Sequence, residues 1–352
     1  MKVFQHLDEL KDSDGVGNDA IGLSNVFQSL GFESHFITRI PRKGKSLPGV
    51  QFHGVNDFSI PVSYEDIHIL HYGGAGYPYK LFQNLSGKKI LRFHNITPAS
   101  FYKETTTKEI FDAMEKFESV SYLELATFSL FCDSIWCDSN YNLFTVRDFK
   151  FQNPYILPIC KEYTIKNTIP NDSGSLIFVG RYSPQKKWED LIDFFAEWSI
   201  LYPNSECYLV GSVIGAFDGY YERLKQKVKE RELENKIQFL TGLNDNEVLS
   251  YFEKSSVFVS MSEHEGFCLP LLEAFGMGLP VYAYAQTAVP ETMRGAGLLF
   301  YEKSFSTLTK ELKTILSNQT LKLETIQTQK KTLLHYNSYP WKQNITSILG
   351  RI

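Results

Sequence analysis

The feature that most narrows what this chain can fold into is a regular alternation of short apolar runs with longer stretches of helical apolar spacing. Such alternation implies parallel sheets, because a parallel return needs a crossover and a helix packed on the sheet supplies it. In the first half the strand-like runs are 2–7, 34–37, 67–71, 89–93, 134–137 and 155–157. Helical spacing marks 18–30, where Ile21, Leu23, Val26, Phe27 and Leu30 recur and Gly31 stands at the stop; a longer pattern covers 107–131. Residues 160–174 are polar, without a period, and hold Pro170, Asn171, Asp172 and Gly174, as a linker would. A second series then offers strands at 176–179, 207–210, 237–240, 257–260 and 281–285. Its helices are expected at 188–201, 220–234, 245–254, 269–277 and 305–334, with a last one over 340–349. The expectation is α/β, with two doubly wound Rossmann-like units at 1–161 and 171–334 and a segment, 335–352, returning to the first. A chain of 352 residues agrees with two domains at about 150 residues each. Ligands of such units lie outside the carboxyl ends of the strands, in the crevice that two facing units share.

Composition removes several classes. The net charge is −4, from 36 basic and 40 acidic residues, which argues against a general nucleic-acid binder. The start is charged rather than signal-like, and no apolar run approaches the roughly 18 residues of a membrane span. Five cysteines without a CxxC pair read as buried residues of a reducing, cytoplasmic setting, not as disulfides or a zinc site. No GxSxG, GxxxxGK[ST] or HExxH motif occurs, so serine hydrolase, P-loop and zincin readings have no support.

Four loops at strand ends can carry chemistry. In Asp12-Ser13-Asp14-Gly15-Val16-Gly17-Asn18, the glycines let backbone approach a ligand at a helix N-terminus; a plain turn capped by Asn18 is the equally weighted alternative. Asp12-x-Asp14 resembles a Mg²⁺ carboxylate pair, but Asp before Gly is ordinary turn chemistry. In Val179-Gly180-Arg181-Tyr182-Ser183-Pro184-Gln185-Lys186-Lys187, a guanidinium fork and an ammonium follow a strand, which suits phosphate oxygens. In Ser262-Glu263-His264-Glu265-Gly266-Phe267-Cys268-Leu269-Pro270-Leu271-Leu272-Glu273, the amides from Gly266 to Leu269 open a helix and face an anion. Glu265 lies in that loop and Glu273 one turn into the helix; either carboxylate can hold vicinal hydroxyls, and two surface glutamates are the bland alternative. The fourth loop is Arg92-Phe93-His94-Asn95-Ile96-Thr97-Pro98, where a lone His is more often structural. His68 and His71 sit at odd spacing on a strand and so face opposite ways.

Together these loops resemble glycosyltransferase family 4, nucleotide-sugar transferases of the GT-B fold. The resemblance rests on Val179-Gly180-Arg181 with Lys186, on the E-x7-E pattern of Glu265 and Glu273, on Asp14-Gly15-Val16-Gly17-Asn18 and on His94-Asn95-Ile96-Thr97-Pro98. It implies that Arg181 and Lys186 hold the donor phosphates, that Glu273 holds the ribose and that Glu265 lies near the donor sugar. It implies a backbone role for Gly266, Phe267, Cys268 and Leu269. His94 would reach the donor sugar from the other domain, Gly15 and Gly17 would form a loop over the cleft, and Asp14 and Asn18 would lie on the acceptor side. Arg181, Lys186, Glu265 and His94 are the implied catalytic set. The chain departs from the family at Asp14, where Gly is common, and at Lys187, which stands where Gly often follows the Lys.

The implied activity is retaining, metal-independent transfer of a hexose-type sugar from a UDP- or GDP-linked donor, without a cofactor. The implied acceptor is a glycan, a lipid-linked molecule or a small molecule, as in surface polysaccharide or glycoconjugate synthesis. The expected location is cytoplasmic, with peripheral contact at the inner membrane face for a lipid-linked acceptor. The competing reading is a non-catalytic two-lobed protein that binds a sugar nucleotide; a dehydrogenase would need a glycine fingerprint that is missing.

Overall fold

The computed structural model of the protein describes residues 1–11, 14–42, 46–166 and 170–352. Asp12 of the first loop, residues 43–45 and residues 167–169 of the linker lie outside the described residues. The chain divides into two compact units, one of residues 1–98, 115–162 and 338–352, the other of 99–114 and 163–337.

The first unit carries strands β1 (Lys2–Leu7), β2 (Glu33–Thr38), β3 (Val50–Gly54), β4 (Ile67–Tyr72), β5 (Lys88–Phe93), β6 (Ser134–Cys137) and β7 (Pro154–Ile156). All pair in parallel in the order β3-β2-β1-β4-β5-β6-β7. The central strand β4 is buried along its whole length, as expected where helices cover both faces of a parallel sheet. Val3, Leu23, Phe27, Ile69 and Trp136 form a core on one face, which Ile345 and Ile348 of the C-terminal helix Trp341–Leu349 complete.

The second unit carries β8 (Leu176–Val179), β9 (Cys207–Gly211), β10 (Ile237–Thr241), β11 (Val257–Ser260), β12 (Val281–Tyr284) and β13 (Leu298–Phe300). Their order is β10-β9-β8-β11-β12-β13, again all parallel. Of the stripe expected on the helix Trp188–Leu201, Leu191, Phe194, Phe195 and Trp198 are buried in the core, while Leu201, at the helix end, is only half-buried. In both sheets the order of connection reverses beside the first strand, between β1 and β4 and between β8 and β11. A crevice opens at such a reversal because the crossovers on its two sides lie on opposite faces.

Several expected boundaries move. The first helix is Gly15–Ser29, not 18–30, and its N-cap is Asp14 rather than Asn18: Asp14 Oδ1 accepts the Gly17 N–H at 2.6 Å. Gly15 and Gly17 therefore belong to a first helical turn. A Cβ on Gly17 would sit 1.6 Å from the Lys11 carbonyl oxygen, so this chain's own backbone already demands glycine there. Asp14→Ala should lower stability by about 1 kcal/mol, read as a shift of the urea midpoint of the first unit's unfolding transition.

The pattern 305–334 is two helices, Phe305–Ser317 and Gln319–Asn337. Asn318 is extended, and its Oδ1 accepts the N–H groups of Thr320 and Leu321, capping the second helix. The strands β3 and β13 had no clear signal, being short and at sheet edges. All five cysteines are buried thiols, in line with the sequence expectation. Among the described residues no helix is long and apolar enough to cross a membrane.

Candidate functional site

In the second unit, three loops leave the carboxyl ends of neighbouring strands β8, β11 and β12. The β8 loop begins at Gly180, whose carbonyl oxygen would lie 2.0 Å from a Cβ on Gly211, so the ends of β8 and β9 close together only with glycine at 211. Arg181 follows with its side chain exposed, while Trp188 Nε1 donates to its carbonyl at 2.9 Å and fixes the backbone. A short turn, Pro184–Lys186, then ends on Lys187 at φ +53°. That left-handed conformation costs a side-chain-bearing residue roughly 1–2 kcal/mol, which is why glycine suits this position and why Lys187 is a costly departure.

The β11 loop brings Glu265 to Lys186, with Lys186 Nζ donating to Glu265 Oε1 at 2.6 Å. The two side chains are only 13% and 7% exposed, so the pair is shielded from screening by solvent. Burial by itself raises the Glu265 carboxyl, but the Lys186 ammonium, with Ser262 and Cys268 nearby, pulls it below the usual carboxylate range. Burial pushes His264 down to about 4, so its ring is neutral at pH 7. Glu263 braces the loop: its N–H donates to the Gln185 carbonyl at 2.9 Å, and its carboxylate takes Lys303 at 2.7 Å and Lys187 at 3.5 Å. Gln185 is buried, yet its Oε1 has no hydrogen-bond partner among the described residues. An unpaired buried acceptor next to a cation is a place for a water or a ligand donor.

Cys268 takes φ +74° and is the N-cap of the helix Leu269–Gly276, with Pro270 in the first turn. The side chains of Phe267, Cys268 and Leu269 are buried, which leaves their backbone as the part able to meet a ligand. Glu273 is half-buried in the same helix. One region thus gathers an exposed guanidinium, a buried ammonium–carboxylate pair and a helix amide end. That combination suits an anion carrying a polyol. An open cleft of about 410 Å³ at the amino ends of the strands, lined by Ser175, Glu206, Tyr208 and Gln238, has no comparable pairing of cations with helix amides.

In the first unit His94 follows β5, but both of its ring nitrogens are engaged. Nδ1 lies 2.9 Å from Asp138 Oδ2 and Nε2 lies 2.9 Å from His71 Nδ1. His71 Nε2 reaches Gln5 Oε1 at 2.8 Å, and Gln5 Nε2 donates to the Ala20 carbonyl. Beside them Arg92 forks onto Asp19 at 2.7 and 2.9 Å and lies 2.9 Å from Asp138 Oδ1. Burial raises Asp19, but Arg92 more than offsets this and holds its carboxyl low; burial pushes His71 well down. Asp19, His71 and His94 bring ligand-type atoms within 4.8 Å of one another. Those atoms are already committed to Arg92 and to each other, so the cluster is a buried hydrogen-bond network rather than a metal cradle. As the strand spacing implies, His68 and His71 part company: His68 Nδ1 meets His6 Nε2 at 3.0 Å, in a separate cluster.

Sequence reasoning missed the network's Asp19, Arg92 and Asp138. The available signal was an arginine between Leu91 and Phe93 at the apolar end of a strand, which needs a buried partner. It also missed Thr287, on the β12 loop, whose Oγ1 accepts the Glu265 N–H at 2.9 Å.

A family model described as "Glycosyl transferases group 1" matches residues 161–332. An uncharacterized glycosyltransferase of Haemophilus influenzae is 26% identical over 186 residues, covering 51% of each chain. The O-antigen chain mannosyltransferase B of Escherichia coli is 26% identical over 144 residues, 41% of this chain and 35% of the relative. The chain thus spans about half or less of the length of these curated relatives. Among solved structures, TarM superposes with a TM-score of 0.77 at 10% identity, over 99% of this chain and 98% of the other. Anabaena HepE, in complex with UDP and glucose, superposes at 0.70 and 16% identity over the whole of both chains. At such identities these likenesses speak for the fold.

Proposed function

Because residues 161–332 belong to the group 1 glycosyltransferase family (GT4) and the chain as a whole has the GT-B fold, we propose that the protein is a retaining, metal-independent glycosyltransferase. It moves a hexose-type sugar from a UDP- or GDP-linked donor to a glycan, lipid-linked or small-molecule acceptor, as in surface polysaccharide or glycoconjugate synthesis. The observation that carries this reading is the Lys186–Glu265 pair beside exposed Arg181, at the point where the second sheet's connections reverse.

As the glycosidic bond breaks, the leaving diphosphate gains negative charge. In this reading Arg181, Lys186 and the amide end of the helix Leu269–Gly276 stabilise that charge. Glu273 supplies a carboxylate for the ribose hydroxyls, and Glu265 one for the sugar. A carboxylate held below its usual range is a weak base. The leaving phosphate therefore takes the acceptor's proton, which keeps attack and departure on one face of the sugar and retains its configuration. His94 has both ring nitrogens committed and serves as a fixed contact, not as a base. Asp14, Gly15, Gly17 and Asn18 belong to the same proposal through their place after the carboxyl end of β1.

Melting of the protein with UDP, GDP, ADP and their sugars tests donor binding: at 100 times Kd a bound nucleotide adds about 2.7 kcal/mol. Product NMR with the binding donor should show the donor's anomeric configuration. Binding without turnover on any glycan, lipid or small acceptor would leave only the non-catalytic reading. If Glu265→Gln stops turnover and azide restores it with inverted product, Glu265 is a nucleophile and the same-face scheme fails.

A further inference from the structure

Thr287 is β-branched yet sits at φ +52°, a region that such residues rarely enter. Strain of that kind persists where surrounding bonds impose it. Here the bonds are to the Glu265 backbone: Thr287 Oγ1 accepts the Glu265 N–H at 2.9 Å, and the Ala288 N–H reaches the Glu265 carbonyl at 3.4 Å. A few residues on, Thr292 donates to the Phe267 carbonyl, and Tyr336 donates to the Thr292 carbonyl at 3.0 Å. The β12 loop thereby holds the Glu265 loop from one side while Lys186 holds the Glu265 carboxylate from the other.

A hydroxyl both accepts and donates. With its acceptor side on Glu265, the Thr287 O–H still has a proton to give, and among the described residues it donates no hydrogen bond to a protein acceptor. The side chain is half-buried, so a ligand oxygen can approach it.

We propose that Thr287 is a donor-specificity residue: its hydroxyl donates to an oxygen of the transferred sugar while its lone pair fixes Glu265. This rests on the transfer reading above. Thr287 adds a neutral hydroxyl beside the Glu265 backbone, and the proposed function assigns Glu265 to the sugar, so the expected effect falls on the nucleotide sugar more than on the free nucleotide.

The test compares wild type, Thr287→Val, Thr287→Ala and Thr287→Ser by calorimetry with UDP, UDP-glucose, GDP and GDP-mannose, after a melting curve shows each variant folded. For the pair that wild type binds, Thr287→Val should weaken the nucleotide sugar roughly five- to tenfold, the size of one lost hydrogen bond. The free nucleotide should change less than about twofold on the same scale. Thr287→Ala should follow Thr287→Val, and Thr287→Ser should retain most of the wild-type affinity. Equal losses for nucleotide and nucleotide sugar would make Thr287 a loop brace only, and unchanged affinities for both would remove it from the site. A wild-type protein that binds neither pair sinks the transfer reading and this inference with it.

Discussion

Lys186→Ala is expected to lower kcat/KM for sugar transfer on the order of 10²–10³-fold, the cost of removing one preorganised donor from a developing oxyanion. The same change strands Glu265, which is 7% exposed and loses the ammonium 2.6 Å away. Breaking one side of a buried pair costs about 3–5 kcal/mol, so a loss of fold and a loss of chemistry arrive together. The double variant Lys186→Ala with Glu265→Gln separates them. A neutral amide needs no counter-ion, so the melting temperature should recover most of its fall while turnover stays low. Recovery of turnover in the double variant would reduce Lys186 to a counter-ion for Glu265.

Acid should destabilise both units well above the carboxylate range. Burial pushes His68 and His264 from 6.5 to about 4, and pushes His6 and His71 well below 6.5. These rings are neutral in the folded protein, whereas in the unfolded chain they take a proton near 6.5. Between the two values the unfolded state binds more protons, so stability falls as pH falls. The contribution is present in full above pH 6.5, declines toward pH 4 and levels off below it. A displacement from 6.5 to about 4 amounts to about 3 kcal/mol for His68 in the first unit and a similar amount for His264 in the second. Urea unfolding from pH 7.5 to 4 should show both transitions moving to lower denaturant. His264→Phe should flatten the acid limb of the second unit alone, its ring taking the place beside Phe101 where His264 now lies at 5.9 Å. A midpoint independent of pH over this range would contradict neutral buried histidines.

The elements that the sequence made legible are those with internal periodicity and strong borders. Trp188–Leu201 and Asp245–Lys254 run between the expected residues because an apolar stripe and clear stops bound them. The strands Ser134–Cys137, Leu176–Val179 and Val257–Ser260 are uninterrupted apolar or small runs that demand two covered faces. By contrast, β3 and β13 are edge strands with little to bury, and the helix Tyr79–Asn84 is too short to show a period. The start of Gly15–Ser29 moved because Asp14 and Asn18 are both good cap residues, and it is Asp14 whose carboxylate takes the Gly17 N–H.

The same division runs through the site. Local spacing was enough to place Arg181 and Lys186 after a strand and Glu265 and Glu273 around a helix start, because loop chemistry is written in consecutive residues. Partners distant in the chain were not legible: Lys186 meets Glu265 across 79 positions, and Arg92 meets Asp19 across 73. Nothing local marks Thr287 as the anchor of Glu265, or His94 as a ring with both nitrogens spent. By itself, then, the strand–helix alternation determined two parallel α/β sheets and the loops at their carboxyl ends, since both follow from short-range pattern. Which charges are neutralised, which hydroxyl keeps a proton to donate and which histidine is locked were decided by the tertiary structure. Hydrogen bonds and ion pairs form between atoms a few ångströms apart, wherever the chain's folding brings them.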